Sequence, residues 1–498
     1  MKKIISEILK ILDSKIQHFY IVGGLPRDRS LNKEFHDVDI ILPLFKDDAF
    51  FAKNSKKTIK KQIGTVLKRI EVDGKPFDLE ISPIQAEGIE QDLESRDLTI
   101  NSIAYKVDVN TKDFEVIDPS GGINDLHYQI LRCYHKKNLE NDPIRLLRIF
   151  RFQAVSDFDI DSKTLLDITY FKSKISNSPN EMICEELIKT FSGNYCVKAF
   201  RNMASCGLLS EIIPETDSLL TFLHQDPHHY HESVFEHSLH VLRNCLEENL
   251  GLEYRVAALF HDIAKPLVFD GKHYIGHENT GVKQTEKILK RLRFSKNFIK
   301  AVLRIIAYHM IPLDSQTKFF QMRYNTSKEA FEKQVAFIKA DKKATNCFWE
   351  QTKKYQSFLL QILTVKQYDD DGFFEHLNEF VNGRVLMKFG LKSGIGYQSI
   401  LEYLRKKLFK KPEKLSKKQV RILLEQNLFF KGHYSCFQFG SIKSKRIREY
   451  INGKNIYGLL EDSKSLFLKS GIFNYNYFSE GEFINWEKEN QKSYSLFF

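Results

Sequence analysis

Two aspartates, Asp37 and Asp39, stand two residues apart where the apolar run Ile40-Ile41-Leu42 begins. On a strand, side chains two apart point to the same face. Two carboxylates on one face repel each other unless a cation lies between them. Hard oxygen ligands of this kind suit Mg²⁺, which is held by one or two carboxylates and takes substrate phosphates as further ligands. Just upstream, the apolar run Phe19 to Val22 breaks at Gly23-Gly24, where backbone can approach a phosphate closely. Arg27-Asp28 follows, and the Arg27 guanidinium could neutralise a phosphate's charge. A strand, a glycine pair, an Arg-Asp pair and a second strand opening on Asp-x-Asp together describe metal-assisted handling of a phosphate-bearing substrate.

Two further constellations carry chemistry. The first is Asn141-Asp142-Pro143 followed by Arg145, Arg148 and Arg151. Pro143 fits a first helical turn with Asp142 as N-cap. The arginines then recur every three residues along one side, a stack of cations that calls for an anion. The second runs from His237 through His261-Asp262, Lys265, His277 and His309 to Asp341. Imidazoles and carboxylates on several helices can converge on a divalent ion. Imidazole ligands favour Ni²⁺, Mn²⁺, Co²⁺ or Zn²⁺ over Mg²⁺. The other histidines between residues 224 and 309 (224, 228, 229, 231, 240, 273) read as surface or supporting groups.

With these residues in place, the chain resembles the class II tRNA nucleotidyltransferases (CCA-adding enzymes) and the related bacterial poly(A) polymerases. The resemblance rests on Gly23, Gly24, Arg27, Asp28, Asp37 and Asp39, with Pro26 where a small or β-branched residue is usual. It implies that Asp37 and Asp39 hold Mg²⁺ with a third carboxylate on a later strand, Asp78 by motif, with Glu80 as the alternative. Ser95-Arg96-Asp97-Leu98-Thr99-Ile100-Asn101 resembles the family's RRDFTIN motif, with Ser95 in place of the first arginine. Arg96, Asp97 and Asn101 are then expected against the ribose and triphosphate. Asp118-Pro119-Ser120-Gly121-Gly122, followed by Asp125-Leu126, matches the family's DPxGGxxDL turn. Asn141 to Phe152 matches EDxxRxxRxxRF, with Asn141 for the usual Glu. The resemblance implies that Asp142 and Arg145 read the base edges of CTP and ATP, and that Arg148 and Arg151 face the triphosphate. Such readout is chemically reasonable, since a carboxylate accepts from an exocyclic amino group and a guanidinium donates to ring acceptors. The second constellation resembles the HD phosphohydrolase superfamily. It implies His237, His261, Asp262 and Asp341 as metal ligands, His277 and His309 at a second metal or the substrate phosphate, and Lys265 as a further site residue.

The elements that must position these groups are legible in outline. At 498 residues with 42% hydrophobic content, the chain exceeds one core and calls for two to four domains. The expected architecture is multidomain α+β: a nucleotidyltransferase α/β head over 1–135, an all-α neck and body over 136–220, an all-α HD domain over 221–350, a helical closing segment over 351–410 and a basic extension over 411–498. A helix is expected over 44–62. Strands over 63–81 turn at Asp73-Gly74, a hairpin signal. No apolar run of 18 residues suggests a membrane helix, and residues 1–16 read as an amphipathic helix, not a signal peptide. The seven cysteines are scattered without a Cys-x-x-Cys pair, which points to a reducing, cytoplasmic setting. The formal charge is +11, and residues 401–498 hold 19 Lys+Arg against 10 Asp+Glu. A basic, aromatic-rich segment suits a polyanion such as RNA.

The expected function is therefore template-independent addition of C and A to the 3′ end of tRNA from CTP and ATP, with Mg²⁺ in the head and a transition metal such as Ni²⁺ or Mn²⁺ in an HD phosphohydrolase. Three alternatives stay open: a bacterial poly(A) polymerase, a partial enzyme adding only CC or only A, and a non-catalytic RNA-binding protein. The segment Ser82 to Asp92 is short for the family's flexible loop, which the resemblance associates with CC-adding enzymes.

Overall fold

A computed structural model describes residues 1–12, 15–43, 50–51, 65–84, 87–223, 233–345, 348–388 and 397–430. Most of the helix expected over 44–62 lies outside these residues, as do His224, His228, His229 and His231, the segment 389–396, and 431–498 of the basic extension.

A six-stranded sheet organises the first part of the chain. Its strands are β1 (His18–Val22), β2 (Asp37–Leu42), β3 (Val66–Val72), β4 (Lys75–Pro83), β5 (Ala104–Asp108) and β6 (Phe114–Ile117). Their order is β3-β4-β2-β1-β5-β6, with β2 and β4 parallel and every other neighbour antiparallel. The hairpin expected at Asp73-Gly74 is present. Both residues have positive φ (52° and 76°), the geometry that matches the twist of the two arms.

Alternation sorts the sheet into two faces. Phe19, Ile21, Val38, Ile40, Leu79 and Ile81 point to one face and pack beneath the N-terminal helix Lys2–Leu9, which contributes Ile4, Ile5 and Ile8. Each such side chain contributes roughly 1.5–3 kcal/mol by leaving water. The opposite face is only partly covered. The helix Ile89–Glu94 lays Ile89 and Leu93 over Tyr20, Val22 and Ile41. Asp37, Asp39, Asp78 and Glu80 alternate with the buried residues, so they stand on this second face.

Beyond the sheet the described chain is almost wholly helical. One hydrophobic core runs without a break from Leu98 to Ala340, taking in the arginine-bearing helix Ile144–Ser156, the helices Asn180–Ser192 and Cys196–Ser205, and the helices of the histidine-rich region. Among the described residues this core includes side chains on both sides of residue 220. The chain divides into two compact units, Met1–Met310 with Glu332–Glu350, and Ile311–Phe331 with Gln351–Phe498. In the second unit, the helices Gln316–Tyr324, Lys353–Asp370, Phe373–Phe380 and Tyr397–Lys410 gather Phe320, Tyr368, Phe373, Phe374 and Phe409 into one aromatic cluster. Arg323 ties this unit through two bonds to Asp369 (2.9 and 2.7 Å).

Candidate active sites

The head site is set by strand register. Asp39 stands opposite Val22 on one side and Glu80 on the other, while Asp37 stands opposite Asp78. Asp37 and Asp78 are exposed, and Asp39 and Glu80 are half-buried. Val22 is followed by Gly23, whose φ of 73° favours glycine. A Cβ on Gly23 would collide with the Asp39 carboxylate and lie 3.6 Å from Arg96 Nη1. Backbone at Gly23 thus fills the space between the carboxylate strand and Arg96. Gly24 opens a short helix, Gly24–Ser30, which carries Arg27 and Asp28.

The two carboxylates proposed as third ligand differ. Arg69, on the neighbouring β3, holds Asp78 with two bonds (2.6 and 2.8 Å) and keeps its carboxyl below the ordinary range. Glu80 sits directly beside Asp39. A donor set made only of carboxylate oxygens, half open to solvent, fits Mg²⁺ with substrate and water completing its shell.

The basic residues depart most from expectation. Arg27 is held by Asp28 at 2.8 and 3.0 Å and donates to Asn101 Oδ1 at 2.8 Å, with its guanidinium over the Phe152 ring at 5.3 Å. Asp97 is 4% exposed, accepts from Leu98 N and Asn101 Nδ2 at 2.9 and 3.0 Å, and forms an ion pair with Arg148 Nη2 at 2.9 Å. Burial opposes its ionisation, but Arg148 and these donors outweigh burial and hold its carboxyl below the usual range. Asp97 and Asn101 therefore brace the motif from within. Arg151 is paired with the buried Glu186 at 3.2 Å. The expected external anion is replaced by three protein carboxylates: Asp142 for Arg145, Asp97 for Arg148 and Glu186 for Arg151. Arg148 and Arg151 are thus each turned to a protein carboxylate.

Asp142 does not cap the helix. The N-cap is Pro143, without a side-chain cap, and the Asp142 carboxylate accepts from Arg145 Nε at 3.1 Å. Arg145 Nη1 donates to the carbonyl of Ser95 at 2.6 Å. Asp142 and Arg145 thus form a paired acceptor and donor set beside the Arg96 segment. The DPxGG turn is structural. Asp118 accepts from Gly122 N and Ile123 N, and Asp125 accepts from Thr99 Oγ1 at 2.7 Å, which braces the Asp97 to Asn101 segment. A Cβ on Gly122 would overlap the Thr99 carbonyl, so only glycine permits that approach.

The histidine-rich site is built from five helices. His237 projects from Val234–Glu247, His261-Asp262 follows Leu252–Phe260, His277 opens His277–Arg291, His309 ends Lys296–Tyr308, and Asp341 lies in Lys328–Thr345. All six side chains are nearly inaccessible. Asp262 Oδ2 lies 3.1 Å from His261 Nε2 and 3.6 Å from His237 Nε2, while Oδ1 lies 3.4 Å from His277 and 3.7 Å from His309. Asp341 Oδ1 lies 3.2 Å from His237 and 3.6 Å from His261. One carboxylate thus joins two clusters, His237-His261-Asp262 and Asp262-His277-His309.

Ring orientation tests whether ions fit. His261, His277 and His309 turn Nδ1 to the carbonyls of Ala258, Tyr274 and Ile306 at 2.9, 2.7 and 2.6 Å. A carbonyl accepts only, so Nδ1 carries the proton in the neutral ring and Nε2 carries the lone pair. His277 and His309 then face lone pair to lone pair at 3.2 Å, an arrangement relieved by a proton or a cation between them. Burial opposes a charge on His261, but Asp262 and Asp341 outweigh it and push this imidazole up to about 9. The clusters fit imidazole-binding ions. Lys265 contacts Asp262 at 2.7 Å. Lys342 contacts Asp341 at 2.8 Å and carried no motif signal; neither did Glu186 or Asn138.

Comparison with known proteins agrees with this geometry. The family model described as Poly A polymerase head domain matches residues 19–132. The HD domain matches 234–342, and the probable RNA and SrmB-binding site of polymerase A matches 157–220. A multifunctional CCA protein of Chromobacterium violaceum is 30% identical over 292 residues, 55% of this chain and 70% of the relative. The chain belongs to the multifunctional CCA protein family. Another member, from Nitrosococcus oceani, is 29% identical over 328 residues, covering 60% of this chain and 75% of its own. Among solved structures, a Bacillus stearothermophilus CCA-adding enzyme in complex with CTP aligns with a TM-score of 0.59 at 19% identity, over 86% of this chain and 98% of its own. A Thermotoga maritima CCA-adding enzyme complexed with tRNA aligns at 0.55 and 19%, over 86% and 94%. These two likenesses establish the fold.

Proposed function

We propose that the chain adds C and A nucleotides to the 3′ end of tRNA from CTP and ATP without a nucleic-acid template. The observation that carries this reading is a continuous path between two chemistries. Asp39 abuts Gly23, Gly23 abuts Arg96, and the carbonyl of the adjoining Ser95 anchors Arg145 beside Asp142. Phosphate-handling carboxylates and a protein-made donor and acceptor pair are thereby held in one frame. Membership among proteins named multifunctional CCA proteins supports the same reading.

In this reading Asp37 and Asp39 hold Mg²⁺, with Glu80 favoured over Asp78 as third carboxylate because Asp78 is committed to Arg69. Divalent ions bound there would activate the RNA 3′-hydroxyl and steady the leaving pyrophosphate. The chain's own part is positional. Gly23 backbone gives the phosphates close approach, Arg96 contributes positive charge, and Asp142 and Arg145 read the amino-bearing edge shared by C and A. The histidine site would serve as a phosphoester hydrolase with Ni²⁺ or Mn²⁺, its two clusters bridged by Asp262, with Lys265 balancing charge. The five described cysteines are free and buried, and no described helix is long and apolar enough to cross a membrane. Both observations fit a cytoplasmic enzyme.

A second reading, addition of C only, is favoured by the short connection between Pro83 and the helix that begins at Ile89. Incorporation of labelled CTP and ATP into tRNA lacking its CCA end separates the two. Complete CCA ends support the first reading, CC ends the second, and A tails alone a poly(A) polymerase. No incorporation with any divalent ion would overturn the enzymatic reading.

A further inference from the structure

We infer that Asn138 is a positioning residue for nucleotide selection. This rests on the reading of Asp142 and Arg145 as the base-contacting pair. Asn138 belongs to the short helix Lys136–Asn141, outside every motif. Its buried side-chain amide donates to the carbonyls of Glu94 and Arg96, both at 2.7 Å. Between them lies the Ser95 carbonyl, which receives Arg145 Nη1 at 2.6 Å. Three consecutive carbonyls are therefore held by two side chains, one from each of two adjoining helices.

The arrangement has a mechanical consequence. Ser95 is itself exposed, and its N–H and hydroxyl donate back to the carbonyls of Gln91 and Asp92 at the end of the helix Ile89–Glu94, which leaves its own carbonyl to the side chains that reach it. The two bonds from Asn138 fix the peptide planes on either side of it. With the Ser95 carbonyl fixed and Asp142 holding Nε, the guanidinium plane of Arg145 is defined at two of its donors. Discrimination by hydrogen bonding needs donors held within a few tenths of an ångström. Bidentate readout also depends on the plane of the guanidinium as well as its charge. Downstream, the same segment is secured by Tyr134 N to the Asp97 carbonyl at 3.3 Å and Thr99 N to the Arg132 carbonyl at 3.0 Å. Asn138 is the side-chain tie that brackets the contact with Arg145.

The test uses the full chain with an RNA acceptor lacking its CCA end. Asn138→Ala, which keeps no donor, and Asn138→Ser, which keeps one, are compared with Arg145→Ala. For Asn138→Ala we expect the KM for CTP and ATP to rise about tenfold and discrimination against UTP to fall about tenfold. We expect kcat at saturating nucleotide to stay within about twofold, with Asn138→Ser intermediate. A merely structural asparagine would lower the melting temperature and kcat together while leaving discrimination unchanged, and that result overturns the inference. If Arg145→Ala loses discrimination and neither Asn138 variant does, the positioning role fails while the base-reading pair stands. If Arg145→Ala itself keeps wild-type discrimination, the base-reading pair falls and this inference with it. Should Asn138→Ala not fold, the serine variant answers the same question.

Discussion

Arg148 reaches Asp97 at 2.9 Å, joining the arginine helix to the segment that follows the helix Ile89–Glu94. Asp97 is buried, whereas the Arg148 side chain is 37% exposed. The asymmetry decides what each deletion does. Losing Arg148 strands a carboxylate in the interior, and losing one partner of a fully buried pair costs about 3–5 kcal/mol. Here Asp97 keeps two other donors and Arg148 is partly solvated, so Arg148→Ala should destabilise by about 2–3 kcal/mol. Urea unfolding that shows a change below about 0.5 kcal/mol would mean that the pair is only an incidental surface contact.

The same pair sets a pH dependence. The Asp97 carboxyl is held below its ordinary value of 3.8 in the folded state. A depressed folded value adds stability that is present above the unfolded value and is lost as pH falls through the folded one. The stability gap between wild type and Asp97→Asn should therefore be constant from pH 5 to 8 and narrow below about pH 4. A gap that instead narrows on raising the pH from 5 to 8 would contradict the assignment of a charged Asp97.

In the head, Asp37→Ala and Asp39→Ala should each abolish nucleotide incorporation with little effect on folding. The comparison that discriminates is between β4 neighbours. Glu80→Ala should lose incorporation by a hundredfold or more, because it stands beside Asp39. Asp78→Ala should lose less than about tenfold, because its carboxylate serves Arg69. Rates reversed between the two variants would restore Asp78 as the third ligand.

The contrast between Asp78 and Glu80 shows where sequence reading reaches its limit. The strand alternation of 75–83 put both carboxylates on one face and left them equivalent by pattern. Which one adjoins Asp39 depends on the parallel register between β2 and β4, a long-range pairing that local periodicity does not carry. The arginine helix behaves alike. Its three-residue repeat was plain in the sequence, and so was its need for counter-charge, though its N-cap proved to be Pro143 and not Asp142. The counter-charges themselves were not, since Asp97 and Glu186 lie 51 residues before and 35 residues after their partners. The convergence of the histidines and carboxylates in the second site was legible through the ordered set that resembles the HD superfamily. What was not legible was that Asp262 divides its two oxygens between two clusters. Asn138 was invisible, as a buried amide bonded to two carbonyls leaves no signature in spacing.

For the histidine site, Ni²⁺ or Mn²⁺ should support hydrolysis of 2′,3′-cyclic AMP or a similar phosphoester, and a chelator should remove it. His261→Ala and Asp262→Ala should lose this hydrolysis and retain CTP and ATP incorporation. Ion binding to the folded state alone also stabilises it, by about 2.7 kcal/mol at a hundredfold excess over Kd. Added Ni²⁺ should therefore raise the melting temperature of wild type and not of Asp262→Ala. If the ion leaves both temperatures unchanged and no divalent metal gives hydrolysis, the cluster is a buried polar support for the body.

The last prediction concerns the basic excess at the end of the chain. Residues 401–430 hold nine Lys+Arg against three Asp+Glu, whereas 431–498 hold ten against seven. Most of the excess is therefore on the described helices Tyr397–Lys410 and Lys417–Phe430 and the turn between them. Leu404, Leu408, Val420 and Leu424 anchor these helices in the core of the second unit, while Lys410, Lys411, Lys414 and Lys418 are exposed. A cluster of exposed lysines on a fixed scaffold is suited to phosphates, and each phosphate it neutralises adds about 0.7–0.9 to the salt slope of binding. Changing the four lysines to glutamine should weaken tRNA binding at 50 mM salt and flatten its salt slope by one to three such increments. Deleting 431–498 should flatten it by about one or less, since the net charge removed is smaller. The measurement is the tRNA dissociation constant across a salt series for wild type and both variants. A slope unchanged in the quadruple variant would show that these lysines only solvate the surface, and a larger change in the deletion would move the RNA contact beyond residue 430.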